Sequence, residues 1–548
     1  MVTALFLSGI HAYCLVFTAA LLTVLYLRRK HAQRFFKRLG IAGPRPHILW
    51  GHYHMYREDH IGWLERWNLE YGDPYGIFFG TKPILVSSDP VFAQQVLVSD
   101  FSKFVDRSSL LSLEHSDPLT SQFVSLERGD KWRRQRRLLS PAFTSKNMKE
   151  LLPAIVCTAN EFVDQLAGQP KGRFNALPAI QRFAIDNVGR TLFGLEVGAQ
   201  KHAEHASSLL LGLHEVSVGE MQGALDLLVN TFDLIGVTLR WLVGFLLKHR
   251  LLDSIYHTLG NEITAIIRAR RAGQRNNDVL QRFIDAVDDE NDNNSNNNSN
   301  SNNNSQEVYT QTTPADRAQR LHMNNGELLC NSVGMCLVGF ETTSFTLCYL
   351  LHTIGQYVDV QEKLRDEIRT TFDDKCPDDN DDGDDVGTHY YKVMRMKYLD
   401  AVINETLRLY PTATGFTTRS ASSTFNCGVV TFPAGTSVLF APSIIHRDPR
   451  GWTDPLSYRP ERFLDPSLRR EAQGLAFQPF GGGPRNCIGM RLALLSLKVA
   501  LIRVLARLRI RSYGEIQRIS KAVLSTEQEI YISVEPLPST EQIAQQLG

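Results

Sequence analysis

The 548-residue chain carries 59 Lys and Arg against 58 Asp and Glu, a net charge of +1, so bulk charge gives no reason to expect a nucleic-acid partner. With 43% hydrophobic and 21% charged residues it has the composition of a globular protein with a large buried core. Cysteines at 14, 157, 330, 336, 348, 376, 427 and 487 form no zinc-type spacing and are too sparse for a disulfide framework, and all but the last read as reduced, mostly buried thiols of a cytosolic domain.

In chain order, the first predicted element is a membrane anchor. From Ala4 to Leu27 no charged residue occurs. As a helix rising 1.5 Å per residue this run spans about 36 Å, enough to cross a ~30 Å hydrocarbon core. A cleaved signal would want a basic n-region and a shorter apolar stretch, and a mitochondrial presequence would be Arg-rich and amphipathic; neither matches. Arg28, Arg29, Lys30, Arg34, Lys37 and Arg38 follow the span and no Lys or Arg precedes it. The positive-inside rule therefore puts the N-terminus in the lumen and the rest of the chain in the cytosol. The expected organisation is an anchor over 1–30, a basic, Pro-containing hinge over 31–50 with Gly43-Pro44-Arg45-Pro46, and a catalytic domain over 51–548.

Within that domain, Tyr75–Phe79 and Ile84–Ser87 flank Gly80-Thr81-Lys82-Pro83 and predict a hairpin. The basic run Lys131-Trp132-Arg133-Arg134-Gln135-Arg136-Arg137, with Arg128, reads most simply as a solvated helix face. An Asn-rich insert over 288–313 cannot bury enough apolar surface to fold. Residues 324–357 form a long, largely apolar helix with a cap at Asn324 and Glu327 three residues on. In its middle stand Gly339-Phe340-Glu341-Thr342-Thr343. An acid and a hydroxyl there are costly unless partnered or functional, and back-bonding of the hydroxyl to a carbonyl one turn earlier is the structural account.

An acidic loop over 373–387 places Asp378, Asn380, Asp382 and Gly383 like the first half of a calcium loop, but His389 stands where the bidentate acid should be. A solvated linker is the better reading. Glu405 and Arg408 share a face of the helical run 404–410, and by themselves are an ordinary surface pair. Gly428–Phe432 and Ser437–Phe440 around Pro433-Ala434-Gly435 predict a second hairpin, and Glu529–Val534 a late strand. Nearly everything else is helical in period, so the fold class is mainly α with small β-sheets.

The strongest signal is Phe480-Gly481-Gly482-Gly483-Pro484-Arg485-Asn486-Cys487-Ile488-Gly489. Its glycines let the backbone approach a ligand closely, and the cysteine precedes a helix over 490–507 whose N-terminus stabilises a thiolate. Chemistry alone reaches "an activated thiolate in a glycine loop", which an anion site or a reactive cysteine would also satisfy.

The stretch resembles the cytochrome P-450 signature Phe-x-x-Gly-x-Arg-x-Cys-x-Gly, with Phe480, Gly483, Arg485, Cys487 and Gly489 all in place. The resemblance implies that Cys487 ligates the iron of haem b as thiolate and that Arg485 meets a haem propionate. Glu405, Arg408 and the segment Pro460-Glu461-Arg462-Phe463 resemble the family's Glu-x-x-Arg helix and Pro-Glu-Arg-Phe segment. This implies a buried structural triad of Glu405, Arg408 and Arg462. Trp132 and Arg136 match its Trp-x-x-x-Arg helix, implying further propionate contacts, with Arg419 a nearby candidate whose spacing is off by about a residue. Residues 339–343 resemble its oxygen-side helix, so Glu341 and Thr342 are implied to relay protons to dioxygen; Val338 departs by putting a larger side chain where the family has Ala or Gly.

The implied activity is insertion of one oxygen atom of O2 into a lipophilic substrate: a xenobiotic, fatty acid or sterol. No G-x-G-x-x-G fingerprint is present, so electrons from NADPH would come through a separate NADPH–cytochrome P-450 reductase, which could dock on the basic face. The expected site is the endoplasmic reticulum membrane, single-pass. The region 138–155, with Ser140-Pro141-Ala142-Phe143-Thr144-Ser145, looks most like animal drug- and lipid-oxidising members. Candidate pocket linings are 101–127, the helix around Val338, and 412–418. Two rivals are a reductase-independent peroxide isomerase or dehydratase of the same fold, and a haem-binding membrane sensor without turnover. Retention of Glu341-Thr342 argues against the first, and the second would leave both those residues and the basic face idle.

Overall fold

The computed structural model describes residues 2–108, 117–201, 227, 231–249, 251, 256–286, 323–372, 386–413, 417–465, 475–516, 519–520, 524–525 and 529–537. The Asn-rich insert and residues 373–385 of the acidic loop, with Asp378, Asn380, Asp382 and Gly383, lie outside them, as do parts of two expected pocket linings, 109–116 and 414–416. Val386 and Gly387, expected in the acidic loop, instead open the helix Val386–Arg395.

The core is built on one long helix, Asn325–Gln356. Its start is a full capping box: Asn324 Oδ1 accepts the Glu327 N–H at 2.9 Å and Glu327 Oε2 accepts the Asn324 N–H at 2.9 Å. By length and composition it could cross a membrane, but 72% of its apolar window is buried within the domain. It packs against the helices Leu177–Phe193, Lys397–Leu409 and Met490–Arg507 and the strand Leu508–Tyr513. The helix Ser145–Ala167 closes the other side of Leu177–Phe193 and Met490–Arg507. The apolar faces of these helices share one continuous cluster of buried side chains.

Strands occupy the edges. Tyr75–Phe79 and Lys82–Ser87 form the expected antiparallel hairpin, with Tyr75 opposite Val86. The second predicted hairpin is corrected. Val430–Phe432 pairs with Phe425–Cys427, while Ser437–Phe440 leaves to run parallel to Lys82–Ser87 and antiparallel to Thr418–Ser420. The reversal falls at Gly428-Val429, where Gly428 adopts φ +57°, and Pro433-Ala434-Gly435 carries the chain between two sheets. The late strand Tyr531–Pro536 lies between Leu508–Tyr513 and the two-residue strand Phe174–Asn175.

At the N-terminus an unbroken helix runs from Val2 to Ala32. Segment 31–50, expected as a hinge, is held against the first hairpin. Arg29 Nε donates to the Ile48 carbonyl at 2.9 Å, and Gln33 Nε2 donates to the His47 and Gly80 carbonyls, each at 3.0 Å. Phe36 is buried against Phe78, their ring centres 5.2 Å apart. Cys330, Cys336 and Cys348 are buried as expected, whereas Cys157 is exposed.

Candidate active site

The site is organised by the loop from Gln478 to Gly489. Gly481 N–H donates to the Gln478 carbonyl at 3.0 Å, Asn486 N–H to Gly483 at 3.0 Å, and Cys487 N–H to Phe480 at 2.8 Å. These bonds require left-handed backbone at Gly481 (φ +73°) and Gly483 (φ +67°). Gly483, expected beside the cofactor, does not line the cavity; its missing side chain makes room for the Leu97 carbonyl, which a Cβ would strike. The helix Met490–Arg507 begins directly after the loop.

Cys487 is exposed, and it opens into a cavity of about 300 Å³. Burial holds its thiol above the ordinary value, opposed by a Gly489 N–H and by the Arg136 and Arg107 cations. Phe480 and Trp132 also line this space.

Four guanidinium groups converge beside the thiol. Arg485 donates from Nη2 to the Glu127 carbonyl at 2.7 Å, stands 3.6 Å from Asp106 Oδ1 and lies 4.3 Å above the Trp132 ring. Its Nε and Nη1 are buried without a hydrogen-bond partner. Arg136 grips Asn486 at its carbonyl (2.9 Å) and Oδ1 (2.8 Å). Arg107 donates to the Arg485 carbonyl at 3.2 Å and the Ser125 carbonyl at 3.2 Å. Arg419, on strand Thr418–Ser420, donates to the Thr418 carbonyl at 2.8 Å and keeps a buried Nε without a partner. Burial, then their mutual repulsion, pulls Arg485 down to about 9 and Arg419 well below the usual guanidinium range. So much buried positive charge with idle donors is costly unless an anion joins it. Arg107 was not singled out in the sequence, where only its place in the stretch 101–127 marked it; Arg419 does reach the cluster.

Across the cavity, the Thr342 hydroxyl donates to the Val338 carbonyl at 2.7 Å, the back-bond that the structural account expects. Thr346 in turn donates to the Thr342 carbonyl at 2.7 Å. Glu341 and Thr342 both line the space, and Val338 is 37% exposed in a helix otherwise largely buried. That exposure is to the cavity, so its extra methyl groups take up room there.

Glu405, Arg408 and Arg462 meet away from the cavity, all buried. Arg408 grips Glu405 through Nε at 2.8 Å and Nη2 at 2.9 Å, and Arg462 Nε reaches Glu405 Oε1 at 2.9 Å. The remaining donors are taken by carbonyls: Arg408 Nη1 by His446 at 2.8 Å and Pro455 at 2.6 Å, Arg462 Nη1 by Thr453 at 2.7 Å. The triad thereby pins the segment 446–462 to the end of helix Lys397–Leu409.

On the basic helix Gly129–Leu139, Arg128, Lys131, Arg133 and Arg137 are exposed. Arg134 pairs with Glu327 and Arg136 turns inward. The predicted charge run is thus divided between surface and site.

A thiol, a set of cations and an apolar chamber suit a planar, mostly apolar metallocycle bearing carboxylates. The family model for cytochrome P450 matches residues 41–534. Cytochrome P450 3A14 of Cavia porcellus is 30% identical over 502 residues, covering 89% of each chain. Cytochrome P450 3A9 of Rattus norvegicus is 29% identical over 528 residues, covering 94% of each. A lithocholate 6-beta-hydroxylase of Mesocricetus auratus is 29% identical over 494 residues, covering 89% of each.

Proposed function

The chain belongs to the cytochrome P450 family, and from that premise we propose that it is a membrane-anchored enzyme that oxygenates lipophilic small molecules with electrons delivered by a separate NADPH-dependent reductase. It is a monooxygenase, and its cofactor is haem b held through a cysteine thiolate. When bound, that group supplies activation of dioxygen and insertion of one oxygen atom. The observation that carries the assignment to this loop is Cys487 opening into the cavity beside cations with idle donors.

The residues divide the work by chemistry. Cys487 would be the iron ligand, and the neighbouring Gly489 N–H together with Arg107 and Arg136 favours its thiolate form. Arg107, Arg136, Arg419 and Arg485 would hold the propionates, with Trp132 beside Arg485 at the same end and Phe480 lining the cavity next to the loop. Glu341 and Thr342 would carry protons into the cavity from the far side, the hydroxyl held in place by its bond to Val338. The triad of Glu405, Arg408 and Arg462 is structural. Val338 narrows the substrate space.

The exposed Arg128, Lys131, Arg133 and Arg137 offer a docking face for an acidic reductase surface. An endoplasmic reticulum anchor at the N-terminus is supported by the helix Val2–Ala32, whose described apolar side chains, Leu15, Val16, Phe17 and Leu22 among them, are exposed. The named activity of the Mesocricetus relative, lithocholate hydroxylation, supports a lipophilic substrate class. Reconstitution in vesicles with the reductase tests the reading. Reductase-dependent, substrate-stimulated NADPH oxidation with an oxygenated product is expected; turnover of a peroxide substrate without any reductase would favour the isomerase reading instead.

A further inference from the structure

The triad does not touch the cavity, yet one residue joins it to the cysteine loop, by its carbonyl on one side and its ring on the other. His446 is fully buried at the C-terminal end of the short helix Pro442–Ile445. Its carbonyl accepts from Arg408 Nη1 at 2.8 Å, which ties it to the end of helix Lys397–Leu409, while its ring Nδ1 is buried without a hydrogen-bond partner. On the other side, Nε2 accepts the Gln478 backbone N–H at 2.9 Å.

Gln478 is the first member of the loop. Its carbonyl accepts from Gly481, its side-chain Nε2 donates to the Leu475 carbonyl at 3.0 Å, and the loop closes when Cys487 N–H reaches Phe480 at 2.8 Å. The Gln478 N–H is buried with its residue, so losing this acceptor would leave it unpaired. Burial, and after it the Arg408 cation, keeps the imidazole neutral by lowering it to about 3, which leaves Nε2 free to accept. A packing role competes with this one, because the ring lies 5.3 Å from Phe477 in an aromatic group with Trp452 and Phe463.

We propose that His446 is a positioning residue: its Nε2 fixes Gln478 and so transmits the geometry of the Glu405–Arg408–Arg462 triad to the loop that presents Cys487. The inference rests on the reading of Cys487 as the thiolate ligand. No atom of His446 need touch the reacting groups; its effect passes through the Gln478 backbone.

The test compares His446→Gln, which keeps an acceptor near the Nε2 position, with His446→Met, of similar length and volume but without one. Full-length, haem-loaded protein in membranes is reduced under carbon monoxide, and the decay of the thiolate-type Soret band into the neutral-thiol band is timed. The expected result is decay about tenfold faster for His446→Met, with His446→Gln close to wild type, the factor being that of one lost hydrogen bond. Equal decay in the two variants would assign His446 to packing and overturn the proposal. Hydrogen exchange of the wild-type Gln478 amide gives a second readout that needs no variant to fold. It should be as protected as the amides of helix Lys397–Leu409; exchange at the rate of an exposed loop would overturn the proposal. Absence of the thiolate-type band from wild type would instead sink the reading of Cys487, and the exchange result would still judge the His446–Gln478 bond.

Discussion

At the scale of single residues, the account turns on buried charges and what they are paired with. Glu405 is the sole carboxylate gripped by both Arg408 and Arg462 in the triad, and all three are buried. Glu405→Gln keeps the shape and removes the charge, stranding two guanidinium groups; it should cost about 3–5 kcal/mol of stability. Denaturant unfolding and haem content check this together, and a wild-type midpoint would contradict a structural role. The triad was legible because three motifs in the right order reversed the ordinary reading of a Glu–Arg pair as a surface contact. Arg107 was not, because nothing local distinguishes it from other cations. Only the fold brings it beside Arg485, whose chain position lies 378 residues away. The same holds for His446, whose partners Arg408 and Gln478 come from two separate segments.

At the scale of elements, the sequence was clearest where the signal is local. The helix Met490–Arg507, the capping box at Asn324 and the hairpin of Tyr75–Phe79 with Lys82–Ser87 all follow from neighbours in the chain. The strand Ser437–Phe440 shows where this fails. Its partner on one side, Lys82–Ser87, is parallel and hundreds of residues distant, so the turn residues beside it mark a crossing between sheets and not a hairpin. The cysteine loop lies between these cases: its glycines were legible as a need for close approach, but what approaches Gly483 is the Leu97 carbonyl. Gly483→Ala adds a Cβ to a left-handed residue that already touches backbone, and neither side can yield cheaply. It should lower the yield of haem-loaded protein and destabilise the fold by about 1–3 kcal/mol or more. Thermal unfolding indistinguishable from wild type would show that the loop relaxes without loss.

At the scale of the whole molecule, buried histidines make stability depend on pH. His52 and His352 are lowered to about 4 and His446 to about 3, burial being the first cause in each. Because the folded state binds these protons less readily than the unfolded chain, the stabilisation is complete above pH ~6.5 and is lost as pH falls toward the folded values. Each such group contributes a slope of about 1.4 kcal/mol per pH unit in that window. Denaturant midpoints at neutral and mildly acidic pH should therefore fall with acid, and His352→Gln should flatten the slope; a flat wild-type profile would contradict it. The central claim, that Cys487 holds haem iron as a thiolate, has a more direct test. The carbon monoxide difference spectrum of the reduced, membrane-expressed protein should show the red-shifted Soret band of thiolate ligation, and Cys487→Ser should abolish it. Haem bound without that band in the wild-type protein, or the band surviving in the variant, would contradict the account.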